Sequence, residues 1–121
     1  MSGHPTAAEL VEAVRGYLAS VESRLSGREA FHAKVAGNVL ALVERELQQQ
    51  PEIVETATLA RILGHEGDLA DLRTEACEAF RAGRLTAETR GVVDSLLEAT
   101  MARLAVDNPK FATYQRLANP K

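Results

Sequence analysis

With 121 residues, 45% hydrophobic and 26% charged, the chain has the size and balance of one globular domain and is too short for two. A chain of this length buries roughly two thirds of its unfolded surface, enough for a core without disulfide or metal staples. The formal net charge of -3, with three Phe, two Tyr and no Trp, supplies neither a basic field nor stacking platforms, so no nucleic-acid partner is expected.

Cys77 is the single cysteine, which excludes an intramolecular disulfide and a cysteine-based zinc site and fits a reducing compartment. No apolar run approaches the ~20 residues of a membrane span, and the opening Met1-Ser2-Gly3-His4-Pro5 lacks the basic and apolar blocks of a signal peptide. A cytoplasmic protein without a membrane partner is expected.

Apolar residues recur at three and four throughout, so an all-α fold is expected: a single-domain bundle of about five helices joined by short loops. Residues 1–5 read as a flexible N-terminus. Thr6 and Glu9 form a Ser/Thr-x-x-Glu capping box for a first helix carrying Leu10, Val14, Tyr17, Leu18, Val21 and Leu25 on one face. Ser26-Gly27-Arg28-Glu29 repeats the box after a tight turn, predicting antiparallel packing with a second helix over about 28–49. Its inward face is expected to be Phe31, Val35, Val39, Leu42 and Val43, and Pro51 breaks it.

A third helix over roughly 52–63 presents Leu59, Ile62 and Leu63, with Gly64 placed to take a left-handed conformation. Asp68 caps a fourth bearing Leu69, Leu72, Ala76 and Phe80, and Gly83 ends it. A fifth opens at Thr86 or Ala87 and runs to Asp107, with Val92, Val93, Leu96, Leu97, Thr100, Met101 and Leu104 as its apolar side. Asn108-Pro109 stops it, and residues 110–121 read as a basic tail that docks or stays mobile.

For chemistry the sequence offers little. His4, His32 and His65 never fall three or four apart, so no metal site and no metal cofactor are expected. At 100° per residue His32 projects into the face of Phe31, Val35 and Val39. It reads either as a hydrogen-bonded core histidine or as a ligand-binding group. Lys34, Asn38 and Arg45 form a polar stripe at the edge of that face, which suits a cleft, an interface or a solvated boundary. Glu46 lies 14 positions from His32, too far along one helix for a dyad. Asp107-Asn108-Pro109 reads as a helix stop before it reads as a site. The segment Gly64-His65-Glu66-Gly67-Asp68 lacks the lysine and strand of a phosphate-binding loop. Cys77 has no neighbouring histidine to activate it, and the serines lack a nucleophile elbow. No catalytic residue is nominated.

Three blocks carry a resemblance: Pro5 to Val14 (PTAAELVEAV), Arg28 to Asn38 (REAFHAKVAGN) with Val43 to Leu47 (VEREL), and Leu104 to Phe111 (LAVDNPKF). They resemble a short all-α bacterial family of unknown function, often encoded beside aminoglycoside-phosphotransferase-like kinases and acyl-CoA dehydrogenases. The resemblance covers most of the chain but matches residues 51–90 mainly in helical character, and it supplies no activity. It implies an accessory role in acyl-CoA or hydroxyacyl-CoA catabolism and points to His32, Lys34, Asn38, Arg45, Asp107 and Asn108 as binding residues. Gly37 departs from the small side chain expected there; it weakens the helix and would permit close helix approach.

The leading expectation is therefore a non-catalytic helical accessory or adaptor module that binds a partner protein, such as a kinase-like or dehydrogenase-like enzyme, or itself. The alternative is a binder or enzyme for an anionic, acyl-CoA-type small molecule held between helices by His32, Asn38, Arg45 and Asp107.

Overall fold

The computed structural model describes residues 3–120. Of the expected flexible N-terminus, residues 1 and 2 lie outside the described residues, as does 121 at the end of the tail. The fold is all-α, with no strand among the described residues and six helices: α1 Ala7–Glu22, α2 Gly27–Gln49, α3 Pro51–Leu63, α4 Leu69–Ala82, α5 Val92–Asp107 and α6 Ala112–Ala118. Contacts gather into two compact units, residues 1–49 and residues 50–121.

The first unit is a hairpin of α1 and α2. The Thr6 capping box forms as expected: the Glu9 N–H donates to the Thr6 hydroxyl at 3.1 Å and the Thr6 N–H to the Glu9 carboxylate at 2.8 Å. Helix α1 ends at Glu22, short of Leu25, and Gly27 opens α2 with φ 58°. The seam between the helices is narrow. On α2 it runs through Ala33, Gly37 and Leu40 to Glu44, and Ala33 and Glu44 are the buried residues of the two helices. On α1 it runs through Val11, Arg15 and Leu18.

The expected inward faces are thus corrected. Leu10, Val14 and Tyr17 on α1 are 54%, 49% and 66% exposed, and Phe31, Val35, Val39, Leu42, Val43 and Leu47 on α2 are all exposed. The α2 stripe of Phe31, Val35, Val39 and Leu42 lies about 120 to 180° around the helix from Ala33. Gly37 is half-buried, yet a Cβ there would meet nothing within 4 Å, so close approach is not what calls for glycine at this position.

Gln50, at φ 48°, separates the units, and Pro51 takes the first turn of α3, where a missing N–H costs no helical bond. The second unit holds the larger core. Leu59 and Ala60 of α3 pack with Leu72 and Ala76 of α4, with Ile62, Leu63, Leu69 and Phe80 around them. Ala79, Leu85 and Val92 continue the core to the start of α5. Gly64 and Gly83 end α3 and α4 at φ 84° and 81°, a left-handed conformation that costs a side-chain-bearing residue about 1 kcal/mol or more. Asp68 caps α4 by accepting from the Asp71 N–H at 2.9 Å.

Two features of this unit differ from the sequence expectation. Helix α5 begins at Val92 rather than near Thr86, because the hydroxyls of Thr86 and Thr89 accept the N–H groups of Glu88 and Thr86, and Gly91 sits at φ 81°. The tail carries a sixth helix: after the turn at Asn108, α6 packs on α5, with Thr113 and Tyr114 half-buried and the Gln115 side chain donating to the Pro109 carbonyl at 3.3 Å. Three side-chain bridges tie the helices together. Arg61 donates to Ser95 at 3.2 Å and to Glu98 at 3.0 Å, and Arg73 grips Glu55 through Nε and Nη2 at 2.8 and 2.7 Å.

Candidate functional site

Of the six nominated residues, four lie on α2 in the first unit and two at the end of α5 in the second. Lys34 and Asn38 meet in a groove of about 470 Å³ along the hairpin, with Glu12, Arg15 and Glu22 from α1 and Gly37 beside them. His32 is exposed and lies against the Phe31 ring, with centroids 6.0 Å apart and planes tilted by 52°. It is no core histidine, because the face on which it stands is itself open. Arg45 is half-buried farther along α2.

Asp107 and Asn108 belong to the second unit. Asp107 accepts from Arg103 at 3.4 Å one turn away, and Asn108 caps α5, its N–H donating to the Leu104 carbonyl at 2.9 Å. Their geometry is that of a helix stop.

Two residues that the sequence reading passed over stand at the centre of the hairpin. The Arg15 guanidinium donates to the buried Glu44 carboxylate, which also accepts from Gln48 at 3.4 Å. Removing Arg15 would leave a nearly buried carboxylate short of its counter-charge, a more damaging change than losing an exposed pair. The signal is present in the sequence: Arg15 falls in register with Val11 and Leu18, and Glu44 with Ala33 and Gly37, so a charge interrupts each of two apolar seams. With Glu12, Glu22, Arg15 and Lys34, the groove mixes both signs of charge and builds no field that selects an anion.

A second cleft of about 410 Å³ lies between α3, α4 and α5, floored by Leu59, Leu96 and Leu104 and edged by Glu55, Arg73 and Arg103. Its charged groups are taken up by one another. The hydrogen bonds from Arg73, chiefly, hold the Glu55 carboxyl below its ordinary range. At the α3–α4 connection, His65 Nε2 lies 2.8 Å from Glu75 and Nδ1 lies 2.9 Å from the Glu66 carbonyl. The Glu66 carbonyl and then the Glu75 carboxylate raise the His65 pKa above the usual 6.5.

A raised pKa in the folded chain means that this interaction stabilises fully below the unfolded value and is lost as pH rises through the folded one. Thermal melting is therefore expected to fall slightly as pH rises from 6.5. His65→Gln should flatten the profile over that window and leave its acid limb, to which Glu55 contributes, unchanged. Melts across a pH series of both chains check it.

Among the described residues no three His, Cys, Asp or Glu side chains gather as metal ligands, and no helix is long and apolar enough to cross a membrane. Residues 23–111 match the DUF6285 family, a domain of unknown function. The chain belongs to the DUF6285 family. The DUF6285 match takes in α2 to α5 and leaves α1 and α6 outside. No curated protein and no solved structure shows significant similarity to the chain.

Proposed function

We propose that this DUF6285 protein is a non-catalytic interaction module that works by docking a protein on the apolar surface of the α1–α2 hairpin. The observation that carries the reading is the exposure of Leu10, Val14 and Tyr17 on α1 together with the Phe31, Val35, Val39 and Leu42 stripe on α2. Scattered exposed leucines are ordinary; an exposed apolar stripe on each helix of one hairpin is the mark of an interaction surface. The mixed-charge groove at Lys34 and Asn38 lies beside the same hairpin and supplies a polar rim.

The resemblance to bacterial proteins encoded beside aminoglycoside-phosphotransferase-like kinases and acyl-CoA dehydrogenases makes such enzymes, in the cytoplasm, the first partners to seek. The test is recovery of the endogenous chain with what is bound to it, beside a Tyr17→Glu form, which alters the most exposed side chain of the surface and leaves the seam untouched. A kinase-like or dehydrogenase-like enzyme that accompanies the wild type and is lost from Tyr17→Glu supports the reading. A chain recovered alone with a bound anionic metabolite overturns it in favour of a small-molecule binder.

A further inference from the structure

We infer that the cleft between α3, α4 and α5 is a binding site for a small organic carboxylate with a hydrocarbon body. The cleft lies wholly within the second unit, so this site stands apart from the hairpin surface and its partner.

The floor supplies the apolar half of the site. Leu59 of α3, 6% exposed, closes the bottom, and Leu96, Ala99 and Leu104 of α5 form a wall. Leu96, Thr100 and Arg103 follow one another at spacings of four and three, so one face of α5 brings both an apolar wall and a guanidinium to the cleft. The volume of about 410 Å³ falls within the ~300 to 1,000 Å³ of small-molecule sites, which pair apolar walls with a few polar groups that fix orientation.

Charge at the rim selects the head of the ligand. The lining holds two guanidiniums, Arg73 and Arg103, against the single carboxylate of Glu55. Glu55 takes the Nε and Nη2 edge of Arg73. That pairing fixes the guanidinium in one orientation and uses two of its five N–H donors, which leaves three on a side chain that is 51% exposed. Arg103 stands close enough to the same carboxylate to help lower its pKa, and its contact with Asp107, outside the lining, is a loose 3.4 Å. A second carboxylate at the rim balances the second guanidinium and matches the planar fork of arginine. A cation would meet an excess of its own sign, and a bare inorganic anion would leave the leucine floor uncovered.

The experiment is titration of the full chain with octanoate, followed through amide chemical shifts by heteronuclear NMR. The controls are 1-octanol, which has the body without the charge, and acetate, which has the charge without the body. Octanoate should bind saturably and at least about ten-fold more tightly than either control, with shifts gathered on residues 55–59, 73 and 96–104. Arg103→Gln should weaken octanoate at least about ten-fold with helical circular dichroism unchanged. Arg73→Gln should weaken it further, because it also leaves Glu55 to repel the carboxylate. An acetylated Ala-Ala-Leu peptide, which carries a carboxylate on a polar backbone, should bind no better than acetate. Absence of saturable binding, octanol binding as tightly as octanoate, shifts centred on the hairpin, or wild-type affinity in both arginine variants overturns the inference. The peptide binding more tightly than octanoate overturns it too, since the carboxylate would then be that of a chain end.

Discussion

Leu72→Ala is expected to lower the stability of residues 50–121 by roughly 2 to 5 kcal/mol. Leu72 is 1% exposed at the point where α4 meets Leu59 and Ala60 of α3, and Ala76 follows it one turn later on the same face. Two of these neighbours are already alanines, so they cannot swing into the vacated volume, and the cost should fall toward the upper part of that range. Gly67, whose Cβ position would lie 3.3 Å from the Leu72 side chain, closes the far wall with no side chain to offer. Urea unfolding followed by circular dichroism measures the loss as a lower midpoint with an unchanged slope. A midpoint within experimental scatter of the wild type would mean that Leu72 is not the centre of this core.

The elements of this fold were legible where a single residue type carries the instruction locally. Thr6 with Glu9, Pro51, Gly64, Asp68 and Gly83 each act on backbone groups within four positions, and each does in the structure what its chemistry dictates. The start of α5 was misplaced because Thr86 and Thr89 can serve either a helix or a turn, and Gly91 tips the balance toward the turn. The sixth helix was read as tail although Phe111, Tyr114 and Leu117 carry a spacing of three; seven residues form no stable helix alone, and it is packing on α5 that holds α6.

The face of α2 is the instructive miss. Periodicity shows that a helix has an apolar stripe, and α2 has two: one led by the small residues Ala33 and Gly37 with Leu40, and one of large residues, Phe31, Val35, Val39 and Leu42. The larger stripe looks like the inside because it carries more area. The hairpin packs through the smaller one, where the helices meet over slender side chains around the Arg15–Glu44 pair. The placement of His32 failed with it: the residue is where the 100° rule puts it, beside Phe31, but the whole face is open. Asp107 and Asn108 were singled out as binding residues only by resemblance, and both serve the end of α5.

Leu42→Pro is expected to cost ~3 kcal/mol or more and to prevent the α1–α2 hairpin from forming. Leu42 stands inside α2, so a proline there deletes an internal hydrogen bond and drives its ring into the preceding turn. The side chain is 37% exposed, so little of the penalty comes from lost packing; the damage is to the backbone. The break falls two residues before Glu44 and would carry that carboxylate away from Arg15, uncoupling an ionic tie across the seam. A two-helix unit that buries so little has no reserve against such a loss. Residues 50–121 have their own core and should keep their melting transition, so circular dichroism should show a partial loss of helix confined to the first unit. Full wild-type helicity in a soluble Leu42→Pro chain would mean that α2 does not run unbroken from Gly27 to Gln49.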